Sequence, residues 1–398
     1  MNADSTDSSI TIYSKKSMPS LHHPRRRALL GATFGLAAAS AIPAWAQAPT
    51  GSANGRKPTV VQIVDMSPSQ IDVSKDFLVG SRAAWKDINA KGGVRGKAIH
   101  HEVLELDDSA AGVRATLGTL KNLPQYLALF GTAGDRAASH VRDILRREVP
   151  DMAHVAPWLQ NLDANNADNT FPIFASRQDQ IVHALKNLST MGIPELGAVY
   201  GTAAEYAAYR DGMEQTAARL KIRLRSYSPT TDLQQLGSAL SADSPRVLIF
   251  IGGTPELLQF SQGIDKQAAQ RYIIAMSDVN LQTLSQMGGS RYASVIATQV
   301  VPMVNSNLPI VKTYRETLGR LFDEPPTAHS LAGFVAARYT FEMLQSVDGP
   351  LTRQSVLQAL QKRSSMDLGG FHIALEAKAR SGTFVTQSMI AAGGRLVG

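Results

Sequence analysis

RVLIFIGGTPELLQFSQGIDK (residues 246–266) carries the pattern from which the fold follows. Arg246–Ile251 reads as a strand whose Val-Leu-Ile-Phe-Ile, after Arg246, is a short, uninterrupted apolar run, the composition of a strand buried on both faces. Gly252 and Gly253 break it. Thr254 then opens a helical pattern over Pro255–Lys266. A strand covered on both faces and followed at once by a helix is one βα unit of a parallel sheet.

The same rhythm recurs on both sides. Upstream, strands are expected at Thr59–Met66, Ile99–Leu106, Tyr126–Phe130 and Asp151–Ala156, with helices at Asp76–Ala90, Ala110–Leu123 and Gly134–Glu148. It restarts with a helix at Gln178–Met191, then a strand at Leu196–Tyr200, a helix at Glu205–Leu220 and a strand at Ile222–Tyr227. Past the opening stretch come strands at Tyr272–Ser277 and Val295–Val301 and helices at Leu281–Met287, Leu308–Phe322, His329–Ser346 and Thr352–Lys362. Two strands, Phe371–Leu375 and Thr383–Ile390, close the chain. Two such runs, separated near Phe171–Arg177, predict an α/β protein of two doubly wound lobes with mainly parallel sheets. Ligands of such sheets sit beyond the carboxyl ends of the strands, so two facing lobes enclose a cleft.

The N-terminus reads as an export signal. Arg25-Arg26-Arg27-Ala28-Leu29-Leu30 precedes an Ala/Gly/Leu stretch from Gly31 to Ile42, and Pro43-Ala44-Trp45-Ala46 offers an A-x-A cleavage pattern. The arginine motif is twin-arginine-like, and cleavage is expected after Ala46. Retention as a membrane anchor is the alternative, weakened because Ala and Gly insert less well than Leu or Ile. Residues 47–56 form a flexible lead-in. No second stretch is long enough to span a membrane.

Composition excludes several functions. The 398 residues carry a net charge of +7, and residues 1–46 hold Lys15, Lys16, Arg25, Arg26 and Arg27 against only Asp4 and Asp7. What remains for the rest of the chain is too sparse for a nucleic-acid surface. Cysteine is absent, which removes thiol nucleophiles, disulfides and thiolate metal sites. His100 and His101 are neighbours on a strand and point to opposite faces, so they do not share a metal. No H-E-x-x-H, G-x-S-x-G or P-loop motif occurs. No cofactor, metal or catalytic residue is expected.

The chain resembles type I periplasmic solute-binding proteins of the branched-chain amino-acid class, the receptors of ABC importers. The resemblance covers most of residues 58–398. It rests on Phe77–Gly96 with its Asn-x-x-Gly-Gly-x-x-Gly ending, Leu106-Asp107-Asp108-Ser109, Phe130-Gly131-Thr132, Val149-Pro150, Phe171–Arg177 and Ala275-Met276-Ser277-Asp278. It implies a three-segment hinge near 174–177, 299–303 and 365–370. Lobe 1 would then comprise 57–174 plus 303–364, and lobe 2 would comprise 177–299 plus 369–398. It further implies a periplasmic monomer that closes on a small-molecule ligand and delivers it to an inner-membrane ABC permease and its ATPase. A ligand sensor for a signalling receptor, or an exported enzyme, are the alternatives.

The resemblance also places candidate ligand-binding residues at strand ends. In lobe 1 these are Ser67, Thr132 and Ala133, then Ala153, Val155 and Trp158. In lobe 2 they are Tyr200, Tyr206, with Glu205 competing for that place, Thr254 and Asp278. Asp278 matches the family's acidic ammonium anchor, or caps the next helix. Thr132 or Asp135 would otherwise be ordinary caps, Trp158 a core residue, and Ser67 a turn residue. Val155 stands where the family commonly has Ser or Thr. Asp135 would repel a ligand carboxylate unless it turns away or pairs with Arg136.

Overall fold

The computed structural model describes residues 57–161, 168–264, 270–289, 291, 293–362, 365–373, 384–390 and 396–397. The signal, its cleavage site and the lead-in lie outside the described residues, as do Lys266, residues 374–375 and Thr383.

The elements run in order β1 (Thr59–Asp65), α1 (Ile71–Ala90), β2 (His100–Leu106), α2 (Ala110–Leu120), β3 (Tyr126–Phe130), α3 (Asp135–Glu148), β4 (Ala153–Val155) and β5 (Thr170–Phe171). There follow α4 (Arg177–Thr190), β6 (Glu195–Tyr200), α5 (Ala203–Arg219), β7 (Arg223–Ser226), α6 (Leu233–Ser238), β8 (Val247–Ile251), α7 (Thr254–Ile264), β9 (Arg271–Ala275), α8 (Leu281–Gln286) and β10 (Ala293–Gln299). The chain ends with α9 (Pro309–Leu321), α10 (Ala328–Gln345), α11 (Arg353–Gln361), β11 (Met366–Leu368), β12 (Phe371–Ile373), β13 (Thr386–Ile390) and β14 (Leu396–Val397).

Two large sheets result, and they share a plan. The first is ordered β2-β1-β3-β4-β5, and the second contains β7-β6-β8-β9-β10 extended by β13 and β14. The pairings among β1–β5 and among β6–β10 are parallel, and within these two sheets only β13 and β14 run antiparallel, while β11 and β12 form a separate antiparallel pair. The expected α/β class with two mainly parallel, doubly wound sheets is therefore borne out. In each sheet the order reverses once, between β1 and β3 and between β6 and β8. Those reversals are where strand-end loops diverge and leave a crevice.

Each sheet is covered on both faces, as its apolar strands require. In β8, Leu248 and Phe250 enter one core with Phe260 and Leu284, while Ile249 and Ile251 enter the opposite core with Ile181 and Met213. The first sheet divides likewise, with Val60 and Phe130 facing α1 and α10, and Val61, Ile63 and Leu129 facing α2 and α3. Helices α9–α11 bury Val311, Phe334 and Leu360 in the first sheet's core, although they follow the second sheet in sequence. The chain thus returns to its first half after building the second. α1 and α10 meet through glycines: a Cβ on Gly80 would lie 1.7 Å from the Ser330 carbonyl oxygen, and one on Gly333 1.9 Å from that of Phe77.

Some sequence expectations need correction. α1 begins at Ile71, not Asp76. Its buried stripe already starts at Val73, and Asp72 in the first turn suits the positive helix end. The short elements β5, α6, β11 and β14 were not expected. Strands of two or three residues, and a helix of six, carry too little periodicity to be read.

Candidate functional site

The lobe-1 rim is built from the ends of β1, β3 and β4. After β1, Ser67 closes a turn: its N–H donates to Asp65 Oδ1 at 2.8 Å, and its carbonyl accepts from Gln70 and Ile71. Its hydroxyl lies 3.3 Å from that of Ser69. After β3, the N–H groups of Gly131 and Ala133 donate to Val155 and Ile63 carbonyls, so both are spent within the sheet. Thr132 is fully buried, and its hydroxyl bonds His154 Nε2 at 2.8 Å. Burial, with help from Arg142, depresses the His154 pKa to about 3, so the imidazole is neutral. Ala153 and Val155 belong to β4 and are buried.

Neither Thr132 nor Asp135 caps α3; Gly134 does, at φ 103°. Asp135 turns away instead. It accepts from the Gln160 N–H at 2.6 Å, the Asn161 N–H at 3.0 Å and the Asn161 side chain at 2.7 Å. Arg136 pairs with Asp108 at 2.8 Å, whereas exposed Asp107 accepts from Ser109, the α2 cap.

The lobe-2 rim comes from the ends of β6, β8 and β9. Asp278 does not cap α8, since Asn280 does so by accepting from Gln282 and Thr283. Asp278 is 1% exposed, and its Oδ2 accepts from Arg177, the first residue of α4. Trp158 reaches across from lobe 1 and donates Nε1–H to Asp278 Oδ1 at 3.3 Å. Its indole also meets Phe77, Phe174 and His329 edge-on or tilted. Arg177 is itself buried, covers the Tyr209 ring at 5.3 Å and lies 3.9 Å from Glu205. Tyr200 and Tyr206 pack together in lobe 2 with ring centroids 5.1 Å apart, and Arg210 donates to the Tyr206 hydroxyl.

Several hydrogen bonds cross between the lobes. Thr254 donates to Asp72 at 2.6 Å and Asn280 to Asp76 at 2.9 Å. Gln180 donates to Gln160 at 2.6 Å, and His329 Nε2 donates to the Ser277 carbonyl at 2.7 Å. A Cβ on Gly253 would meet the Ser69 carbonyl at 3.4 Å, so the two sheet reversals face each other. Beside this seam lies a crevice of about 480 Å³, with Met66, Asp76 and Arg82 on one wall and Asn280, Thr283 and Gln286 on the other. A smaller, more apolar crevice walled by Val279, Met303 and His329 adjoins it and shares Asn280 and Thr327.

The ten residues singled out from sequence do not line these two crevices. Thr132, Ala133, Ala153, Val155, Trp158 and Asp278 join along the buried seam. Ser67 and Thr254 sit at the facing sheet reversals, and Tyr200 and Tyr206 pack within lobe 2. Sequence reasoning missed Arg177, His154, Gln160, Gln180, Asp72, Asp76, Asn280 and His329. Only Arg177 had a signal, its place at the end of the predicted crossing. Among the described residues no cluster of His, Asp or Glu has metal-binding geometry, and no helix is long and apolar enough to cross a membrane.

Glu205 gives the seam a pH dependence. Burial, and the negative charges of Glu256 and Asp278, push its pKa up from 4.5 to about 7, against the pull of Arg177. A carboxyl raised on folding favours the fold when protonated, and that contribution is lost as pH rises through about 7. Glu205→Gln is expected to flatten the pH profile, gaining up to about 3 kcal/mol on the native protein between pH 5 and pH 8. Urea unfolding at both pH values measures it, and parallel profiles would contradict it.

Comparison with known proteins agrees with this architecture. The family model described as periplasmic binding protein matches residues 58–392. An extracellular ligand-binding receptor from Verminephrobacter eiseniae superposes with a TM-score of 0.75 at 18% identity, over 86% of this chain and 100% of that one. A substrate-binding periplasmic protein from Ralstonia solanacearum gives 0.74 at 20%, over 85% and 99%. The branched-chain amino acid transporter substrate-binding protein LivJ from Streptococcus pneumoniae, in complex with isoleucine, gives 0.72 at 14%, over 86% and 98%. No curated protein matches the sequence. The resemblance read from the strand-end motifs is borne out, and the chain belongs to the periplasmic binding protein family, in its type I class.

Proposed function

We propose that the protein is an extracytoplasmic receptor of an ABC importer that captures a small solute between its lobes and presents it to an inner-membrane permease and its ATPase. The observation that carries this reading is the meeting of two sheet reversals, Ser69 against Gly253 and Asp72 against Thr254, beside a crevice of about 480 Å³ whose walls come from both lobes. A solute held by both walls stabilises the closed form through contacts it lacks in the open one. Ser67, Thr132, Ala133, Ala153, Val155, Trp158, Tyr200, Tyr206, Thr254 and Asp278 are proposed to act on binding through the seam and the facing sheet reversals, beside the crevices rather than in their walls. The arginine-led signal carries the chain to the periplasm, where it acts as a monomer.

The test is calorimetry and thermal unfolding of the mature protein against an array of amino acids, carboxylates and amides. A true ligand binds one to one and, at a hundred times its Kd, adds about 2.7 kcal/mol to stability. A folded protein that binds no member of the array contradicts the reading.

A further inference from the structure

The two crevices that adjoin beside the seam differ in chemistry. The larger, of about 480 Å³, is bordered by Lys75, Arg82, Glu105 and Glu324, all exposed. Its lobe-2 wall adds the amide and hydroxyl groups of Gln282, Thr283 and Gln286. Solvated charges of both signs, beside amides that both donate and accept, suit a polar group of either sign.

The smaller crevice holds about 40 Å³, and much of the polar chemistry around it is spent. Asn280 donates Nδ2–H to Asp76, and its Oδ1 accepts from the Gln282 and Thr283 N–H groups. The Thr327 hydroxyl is taken by Ser330, and His329 Nε2 donates to the Ser277 carbonyl. Gln282, which also borders the larger crevice, Gln299 and Ser388 are the polar remainder. The rest of the lining is apolar and includes Val279, Leu281, Pro302, Met303, Val304 and Ala328. Water in such a place finds few partners, so an apolar group that displaces it gains affinity.

Three parts of the chain meet in this annex. Val279 and Leu281 follow β9 of the second sheet, and Ala328 opens α10, which buries Phe334 in the first sheet's core. Pro302–Val304 belong to the stretch that leads from β10 back to α9. Arg315 of α9 holds that stretch by donating to the Val304 carbonyl at 2.7 Å and the Ser306 carbonyl at 3.1 Å. Met303, 37% exposed, is the adaptable side chain on an otherwise fixed wall. A group seated here touches both lobes and the segment joining them, and so favours the arrangement in which all three meet.

We propose that the solute is a small amphiphile whose polar head occupies the larger crevice and whose unbranched tail, two or three carbons long, fills the annex, with Met303 setting the tail length. The inference rests on the solute-receptor reading. The length follows from the volume: a water-sized group takes about 10–15 Å³ of such space, so the annex holds about three.

Series of fixed head and growing tail test it: 2-amino acids from glycine to L-norleucine, carboxylates from ethanoate to hexanoate, and amides from ethanamide to hexanamide. Calorimetry is run on the wild type, Met303→Ala and Met303→Trp, each first shown to be folded by circular dichroism. In a series that binds, the wild-type Kd is expected to fall about fourfold for each of the first two or three methylenes and then to stop falling. Met303→Ala moves that break one or two carbons further, and Met303→Trp removes the dependence on tail length. A wild-type Kd indifferent to tail length, or a profile that neither variant alters, overturns the inference and leaves the receptor reading standing. A folded wild type that binds no member of any series contradicts the receptor reading, and the inference falls with it. If one variant does not fold the other decides, and if neither folds the break in the wild-type profile decides alone.

Discussion

Arg177→Met is expected to cost about 3–5 kcal/mol of stability, the toll of breaking a buried ion pair by deleting one partner. Asp278 is 1% exposed and would retain only the Trp158 N–H. The guanidinium also covers Tyr209 and lies beside Glu205, so its loss opens both lobe 2 and the seam. Adding Asp278→Leu is expected to restore most of the loss, because an apolar pair of similar volume replaces a buried ionic one at little net cost. Urea unfolding at pH 7.5 of the two variants and the wild type reads both effects. A cost below about 1 kcal/mol for Arg177→Met would show that the pair is solvated and not part of the buried seam.

Gly333→Val is expected to be at least as damaging, by about 3 kcal/mol or more. Overpacking usually costs about 1–3 kcal/mol because side chains can shift. Here the nearest atoms are backbone, the Phe77 carbonyl oxygen at 1.9 Å and its carbon at 2.8 Å from the added Cβ. They belong to α1, which cannot yield without lifting Phe77 and Trp85 out of the core. Soluble yield and thermal unfolding of the variant check this, and a wild-type midpoint would mean that the helices are not in backbone contact.

Much of this architecture was legible in the sequence. Val247–Ile251 declared itself by five consecutive apolar residues with no polar face. A crossing at Phe171–Arg177 was expected because one alternating run stops there and another begins. The seam was harder to read. Arg177 was read as the last residue of the crossing, and nothing local says that its charge folds inward onto a partner 101 positions away. Asp135 drew attention as a possible repulsive charge, but the residues that hydrogen-bond it, 160 and 161, lie in a segment without periodicity. Thr132 was chosen for its hydroxyl, and the imidazole that takes it sits on the adjacent strand, where pairing register decides the contact. Motifs mark where strand ends fall. They do not show which polar side chains pair among themselves.

The central claim is that the lobes clamp a solute, and a distance between them tests it most directly. The chain has no cysteine, so Ala115→Cys on α2 and Gln215→Cys on α5, both at exposed positions, accept spin labels without further changes. Pulsed electron–electron resonance on that pair, with and without a solute that binds in calorimetry, is expected to shift from a broad or longer distribution to a single shorter one. An identical distribution in both states, with binding confirmed in the same sample, would contradict closure.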